Sequence, residues 1–151
     1  MTLIQSARTK HVDKDPYWAA DLMFELETRK EGLSINWLVE ALRRCITSCA
    51  EPDQTQLCNW LNEIQSLRNG TNPELILDKG QEIWQCKRDE FHTAVGHLFG
   101  AIAHKVAGDD RAYRTSIIRV ARVLGDVDNA ICPTVDICLH AFQSVSTRNS
   151  P

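Results

Sequence analysis

Nothing in this 151-residue sequence is long and apolar enough to enter a membrane, and no charge of one sign dominates it. The longest apolar stretch, 95–108, is interrupted by His97, His104 and Lys105 and falls short of the roughly 20 residues a bilayer-spanning helix needs. The opening MTLIQSARTKHVDKD carries Arg8, Lys10 and Asp13 where a secretory leader would carry its apolar centre, so a cytoplasmic location is expected. A net charge of −3 gives no whole-molecule attraction to polyanions, and nucleic-acid contact would require a local basic patch.

Catalytic signatures are missing as well. The sequence holds no phosphate-binding G-x-x-x-x-G-K-[ST] loop, no H-E-x-x-H pair, no G-x-S-x-G elbow and no Glu-x-x-His pairs of the di-iron bundle kind. Arg88 and His92 lie one turn apart without a second polar element attached and read as a surface pair. Glu25, Glu27, Glu82 and Glu90 read as solvated carboxylates. The six cysteines, with no leader and no paired C-x-x-C knuckle, are expected to be free thiols. Asn69-Gly70-Thr71 is expected to be a turn, not a glycosylation site.

What is present is helical periodicity, without strand-like alternation. Asp15-Pro16 opens and Gly32 closes a helix over about 16–30, with Trp18, Ala19, Leu22, Met23 and Leu26 on one face. Ser34 caps a second over about 35–50, whose stripe of Ile35, Leu38, Val39, Leu42, Cys45, Ile46 and Cys49 absorbs two cysteines spaced i,i+4 into the core. A third, about 54–68, buries Leu57, Trp60, Leu61, Ile64 and Leu67. Asn72-Pro73 starts a short segment that ends near Gly80. The central and longest helix is expected over about 81–107, the next over about 111–124 ending at Gly125, and a last one after Cys132-Pro133. The expected fold is thus all-α, a compact bundle of about six helices. A single domain would cover 15–145, between a flexible N-terminal arm, 1–14, and a flexible tail, 146–151.

Three surfaces remain once these faces are assigned to the core. Tyr17, Phe24 and Trp37 fall off the core stripes of their helices and are candidate interface anchors. Gly96 and Gly100, with Ala103 and Ala107, form a small-residue face suited to close helix packing against a partner. The flanking His97 and His104 are weak metal candidates, because a two-turn separation of about 10 Å is too long for chelation from one helix. Arg111, Arg114, Arg119 and Arg122 project within about 140° of one another, opposite an apolar face, and form an anion or nucleic-acid candidate.

Taken together these features point to a non-enzymatic protein-interaction module: an adaptor, inhibitor or assembly subunit with a protein partner and a symmetric homodimer as its expected assembly. A nucleic-acid-associated subunit using the arginine stripe is the alternative, disfavoured by the acidic net charge, and an unrecognised enzyme or a metal or ligand sensor is a further one. No cofactor is expected.

Overall fold

A computed structural model of the chain describes residues 1–49, 51–67, 71–86 and 88–148. Among these residues the fold is all-helical, with eight helices: α1 (Leu3–Val12), α2 (Ala20–Arg29), α3 (Leu33–Ser48), α4 (Gln54–Ser66), α5 (Pro73–Gln85), α6 (Glu90–Val106), α7 (Asp110–Val127) and α8 (Thr134–Arg148). Among the described residues no helix is long and apolar enough to cross a membrane. The expected turn at Asn69-Gly70 lies outside the described residues.

Two of the eight were not anticipated. The stretch expected to be a flexible arm forms α1, started by a capping box in which Thr2 and Gln5 each accept the other's backbone N–H. It is held to the bundle by buried Ala7, by the Arg8–Asp136 ion pair, by Lys10 Nζ at 2.9 Å from Asp21, and by His11 Nε2 at 3.2 Å from Asp128. The single helix expected over 81–107 is two. The Pro73 segment continues past Gly80 as α5 to Gln85, and α6 begins anew where the Asp89 carboxylate accepts the backbone N–H of His92 at 2.8 Å. At the other end, α8 runs into the expected tail as far as Arg148, which pairs with Glu40 of α3.

α6 runs back along α5 at backbone contact. A Cβ on Gly80 would stand 2.6 Å from the Gly96 carbonyl oxygen, and one on Gly96 would stand 2.7 Å from the Gly80 carbonyl and 2.9 Å from Trp84 Cβ. Only residues without side chains permit this approach. The small-residue face of Gly96 and Gly100, expected to receive a partner, is therefore buried inside the chain against α5. This corrects the assignment of both glycines to a free surface.

α6 is the central helix, burying Phe91, Val95, Leu98, Phe99 and Ile102, with α5 on one side and α7 on the other. α3 lies against α8, and there Trp37 is wholly buried. Its indole Nε1 donates to the Cys138 carbonyl at 2.8 Å and its ring meets Phe142 edge-on at 6.1 Å. Trp37 is thus a core residue and not the interface anchor expected, because α3 touches α8 on the flank away from its main stripe. Cys49 and Cys132 are joined as a disulfide, with Cα atoms 5.4 Å apart, tying the end of α3 to the turn before α8. The expectation that all six cysteines are free thiols is corrected at these two; Cys45, Cys58, Cys86 and Cys138 are free.

Gly96→Ala should lower stability by about 1–3 kcal/mol, since neither backbone can yield without separating α5 from α6. Gly100→Ala, whose Cβ would meet nothing closer than Leu77 Cδ1 at 4.0 Å, should be neutral or stabilising by up to about 1 kcal/mol through helix propensity. Urea denaturation of the two variants makes the comparison, and equal losses would refute the backbone contact. Thiol alkylation under denaturing, non-reducing conditions should label four cysteines, and six after reduction. Opening the long loop that this bond closes should cost about 2–4 kcal/mol.

Candidate functional site

α7 presents its four arginines to solvent along one ridge, and its neighbours decide what each faces. On the α2 flank, the Arg114 guanidinium lies 5.4 Å from the centroid of the Phe24 ring, within cation–π range, while its Nε is 3.2 Å from Asp110 of the same helix. Phe24 is 44% exposed and Tyr17 57%, so both aromatics remain on the surface. Arg122 borders a depression of about 350 Å³ shared with Lys14, Trp18 and Asp126, immediately beyond Tyr17. On the α6 flank, Arg119 and Arg111 border a cleft of about 300 Å³ together with His104, Thr115 and Ser116.

Two groups that looked separate in the sequence, the aromatics and the arginine stripe, therefore meet where Phe24 of α2 lies under Arg114 of α7, while Arg111 and Arg119 look toward the α6 flank. Arg111, Arg119 and Arg122 have no ion pair among the described residues, and three acids temper the face locally. Asp110 is spent on Arg114, Asp109 caps α7 by accepting the Ala112 N–H at 3.1 Å, and Asp126 stands by Arg122. α7 itself runs through Gly125 to Val127 instead of stopping there, and the Trp18 indole packs where a side chain at 125 would stand.

His97 and His104 do not converge. His97 stacks on Trp84 with ring centroids 5.6 Å apart, and burial, followed by the nearby Arg119 charge, holds its imidazole below the usual histidine range. His104 lies two turns on, half-buried in the α6–α7 cleft. Cys45 and Cys58 do not combine with Cys49 either, since Cys45 is buried in the core and Cys49 is spent on the disulfide.

The structure assembles a polar group that the sequence reading missed. His92, expected on an exposed flank, is only 4% exposed. Its Nδ1 lies 2.9 Å from Asp89 Oδ1, its Nε2 3.7 Å from Asp53 Oδ2, and its ring meets Trp60 edge-on at 5.7 Å. Arg88 Nε holds Asp53 at 2.8 Å. One ligand atom each from Asp53, Asp89 and His92 lies within 4.8 Å of the others, a spacing a divalent cation can bridge. In this arrangement, however, both carboxylates already have a cationic or hydrogen-bonding partner. The group acts as a latch fixing the α3–α4 turn to the α5–α6 break.

Glu51 completes the latch from the α3–α4 turn. Its carboxyl is pushed above the ordinary range, first by burial and then by the charge of Asp89 and a hydrogen bond to it. Burial also pushes Asp89 upward, but hydrogen bonds from the His92 ring and backbone outweigh it and hold that carboxyl below its ordinary value. The signs are opposite. Ionised Glu51 costs stability, a cost absent in acid and complete once pH has risen through its folded value. Asp89 contributes stability above its ordinary pKa that is lost as pH falls through the depressed one. Glu51→Gln should therefore raise the melting temperature at pH 7 and leave it unchanged near pH 3. Asp89→Asn, which keeps the cap, should lower it at pH 7 and flatten the acid limb. Thermal melts across that range decide, and a Glu51→Gln protein less stable than wild type at pH 7 would contradict the arrangement.

Comparison with protein-family models, curated proteins and solved structures finds no match to this chain.

Proposed function

We propose that the chain is a non-enzymatic interaction module that docks an acidic protein partner on the α2–α7 face. The observation that carries this reading is the seating of Arg114 over Phe24, which sets an exposed aromatic against the edge of the arginine ridge. Tyrosine, phenylalanine and arginine are the residue types that anchor interfaces: rings bury apolar area at low entropic cost, and guanidinium forks pair with carboxylates. Three unpaired arginines leave the face cationic despite the acidic whole, so the complementary partner surface is acidic.

The same features weigh against self-association. The small-residue face is consumed by α5 and Trp37 by the core, which removes two of the surfaces that suggested a homodimer. A two-fold pairing of the remaining face would set arginine against arginine. The Cys49–Cys132 bond, for its part, suits an oxidising compartment better than the reducing cytosol expected from the sequence.

Affinity capture from host cells should recover a stoichiometric acidic protein with the wild type and lose it with both Phe24→Asp and Arg111→Glu/Arg119→Glu, each variant melting as the wild type does. Recovery that survives both changes would refute the docking face. Recovery of nucleic acid instead, falling steeply with salt, would transfer the arginine ridge to phosphodiester binding.

A further inference from the structure

The α6–α7 cleft combines side-chain donors that have no acceptor among the described residues. Ser116 is 6% exposed, and its hydroxyl makes no hydrogen bond among the described residues although it borders the cleft. Among the described residues every fully enclosed polar side-chain atom has a partner, so the Ser116 oxygen is one that the cleft leaves open to an external acceptor. Neighbouring Thr115 shows the ordinary alternative, its hydroxyl turned back to the Arg111 carbonyl at 3.0 Å. Around Ser116 stand Arg111 and Arg119, without ion pairs, and His104, without a hydrogen-bonded side-chain partner.

The one acid at the rim, Asp109, is turned to the α7 N-terminus, where it accepts the Ala112 N–H. It thereby occupies the helix end itself, so what remains available in the cleft is a set of side-chain donors: two guanidinium groups, an imidazole and a hydroxyl. Guanidinium forks and a hydroxyl lining one cleft suit a tetrahedral oxyanion, whose oxygens accept from several directions at once. A planar carboxylate would satisfy fewer of them.

We infer that this cleft is a binding site for a phosphoryl dianion, free phosphate or a phosphomonoester, held by Arg111 and Arg119, with the Ser116 hydroxyl donating from the cleft floor. The site shares two arginines with the proposed docking face but does not rest on it, since Phe24 and Tyr17 lie on the opposite flank of α7.

Isothermal titration of the whole chain at low salt with inorganic phosphate tests the site, with a capped phosphoserine as the monoester arm. Saturable binding should weaken about tenfold in Arg119→Ala and about threefold in Ser116→Ala, a near-isosteric change. Phe24→Asp should leave it unchanged, which keeps failure of the cleft distinguishable from failure of the docking face. Tighter binding of the phosphoserine than of phosphate would identify a protein-borne source, and the reverse order a free ion. Absence of binding, binding indifferent to both cleft variants, or preference for an oligonucleotide of equal charge would overturn the assignment.

Discussion

Two glycines facing each other across a helix pair, Gly80 and Gly96, set the architecture. Because neither carries a side chain, the α5 and α6 backbones approach until each carbonyl stands where the other's Cβ would be. α6 is otherwise among the most apolar segments of the chain, and a helix with so little charge must be covered on nearly all sides. α5 provides the cover on one side at a separation only glycine allows. α7 covers the other, and with both flanks committed its outward ridge is left to solvent. The position of the arginines follows from the burial of α6, not from any property of the arginines.

Glu27 fixes how α7 meets α2. From α2 its carboxylate accepts the backbone N–H groups of Gly32 and Ser34, at 3.0 and 3.1 Å, so that α2 caps α3. Gly32 itself takes a left-handed φ of 85° to make that turn. The same carboxylate accepts the Tyr113 hydroxyl of α7 at 2.6 Å, and burial first, then Glu27, pushes that phenol far up, so it stays a donor at any ordinary pH. One side chain thus orders three helices. With α2 and α7 joined there, Phe24 comes under Arg114 one turn before Glu27. A carboxylate that read as one more solvated acid is the joint that brings the candidate surface together.

How much of this was legible follows from the range over which each signal acts. The stripes of α3 and α7 were readable because helical periodicity repeats within a few residues, and so was the exposure of Tyr17, Phe24 and the arginines. The α5–α6 break was hidden because Glu82 to Gln85 and Glu90 to Phe91 fit one helical period well enough to be joined. Only Asp89, read as an N-cap, would have divided them, and it would also have placed His92 in a first turn beside an acid. α1 was missed although its Thr2–Gln5 cap is local, because two of the ion pairs that hold it to the bundle reach more than a hundred residues along the chain, to Asp128 and Asp136. The Cys49–Cys132 pairing spans 83 residues and leaves no local trace. Trp37 was misplaced for a similar reason: its partners, Cys138 and Phe142, are on the last helix, so its departure from the α3 stripe looked like exposure.

The polar groups divide the molecule in a way that bears on function. Glu27, His92, Asp128 and Trp37 are each spent inside the fold, two of them on several donors, and they hold helices in place. Along α7 the pattern inverts. Asp109 and Asp110 are engaged locally, while Arg111, Arg119 and Ser116 keep side-chain donors that no group among the described residues accepts. The interior polar groups thus hold the helices together, while the α7 ridge leaves its donors to solvent or to an external acceptor.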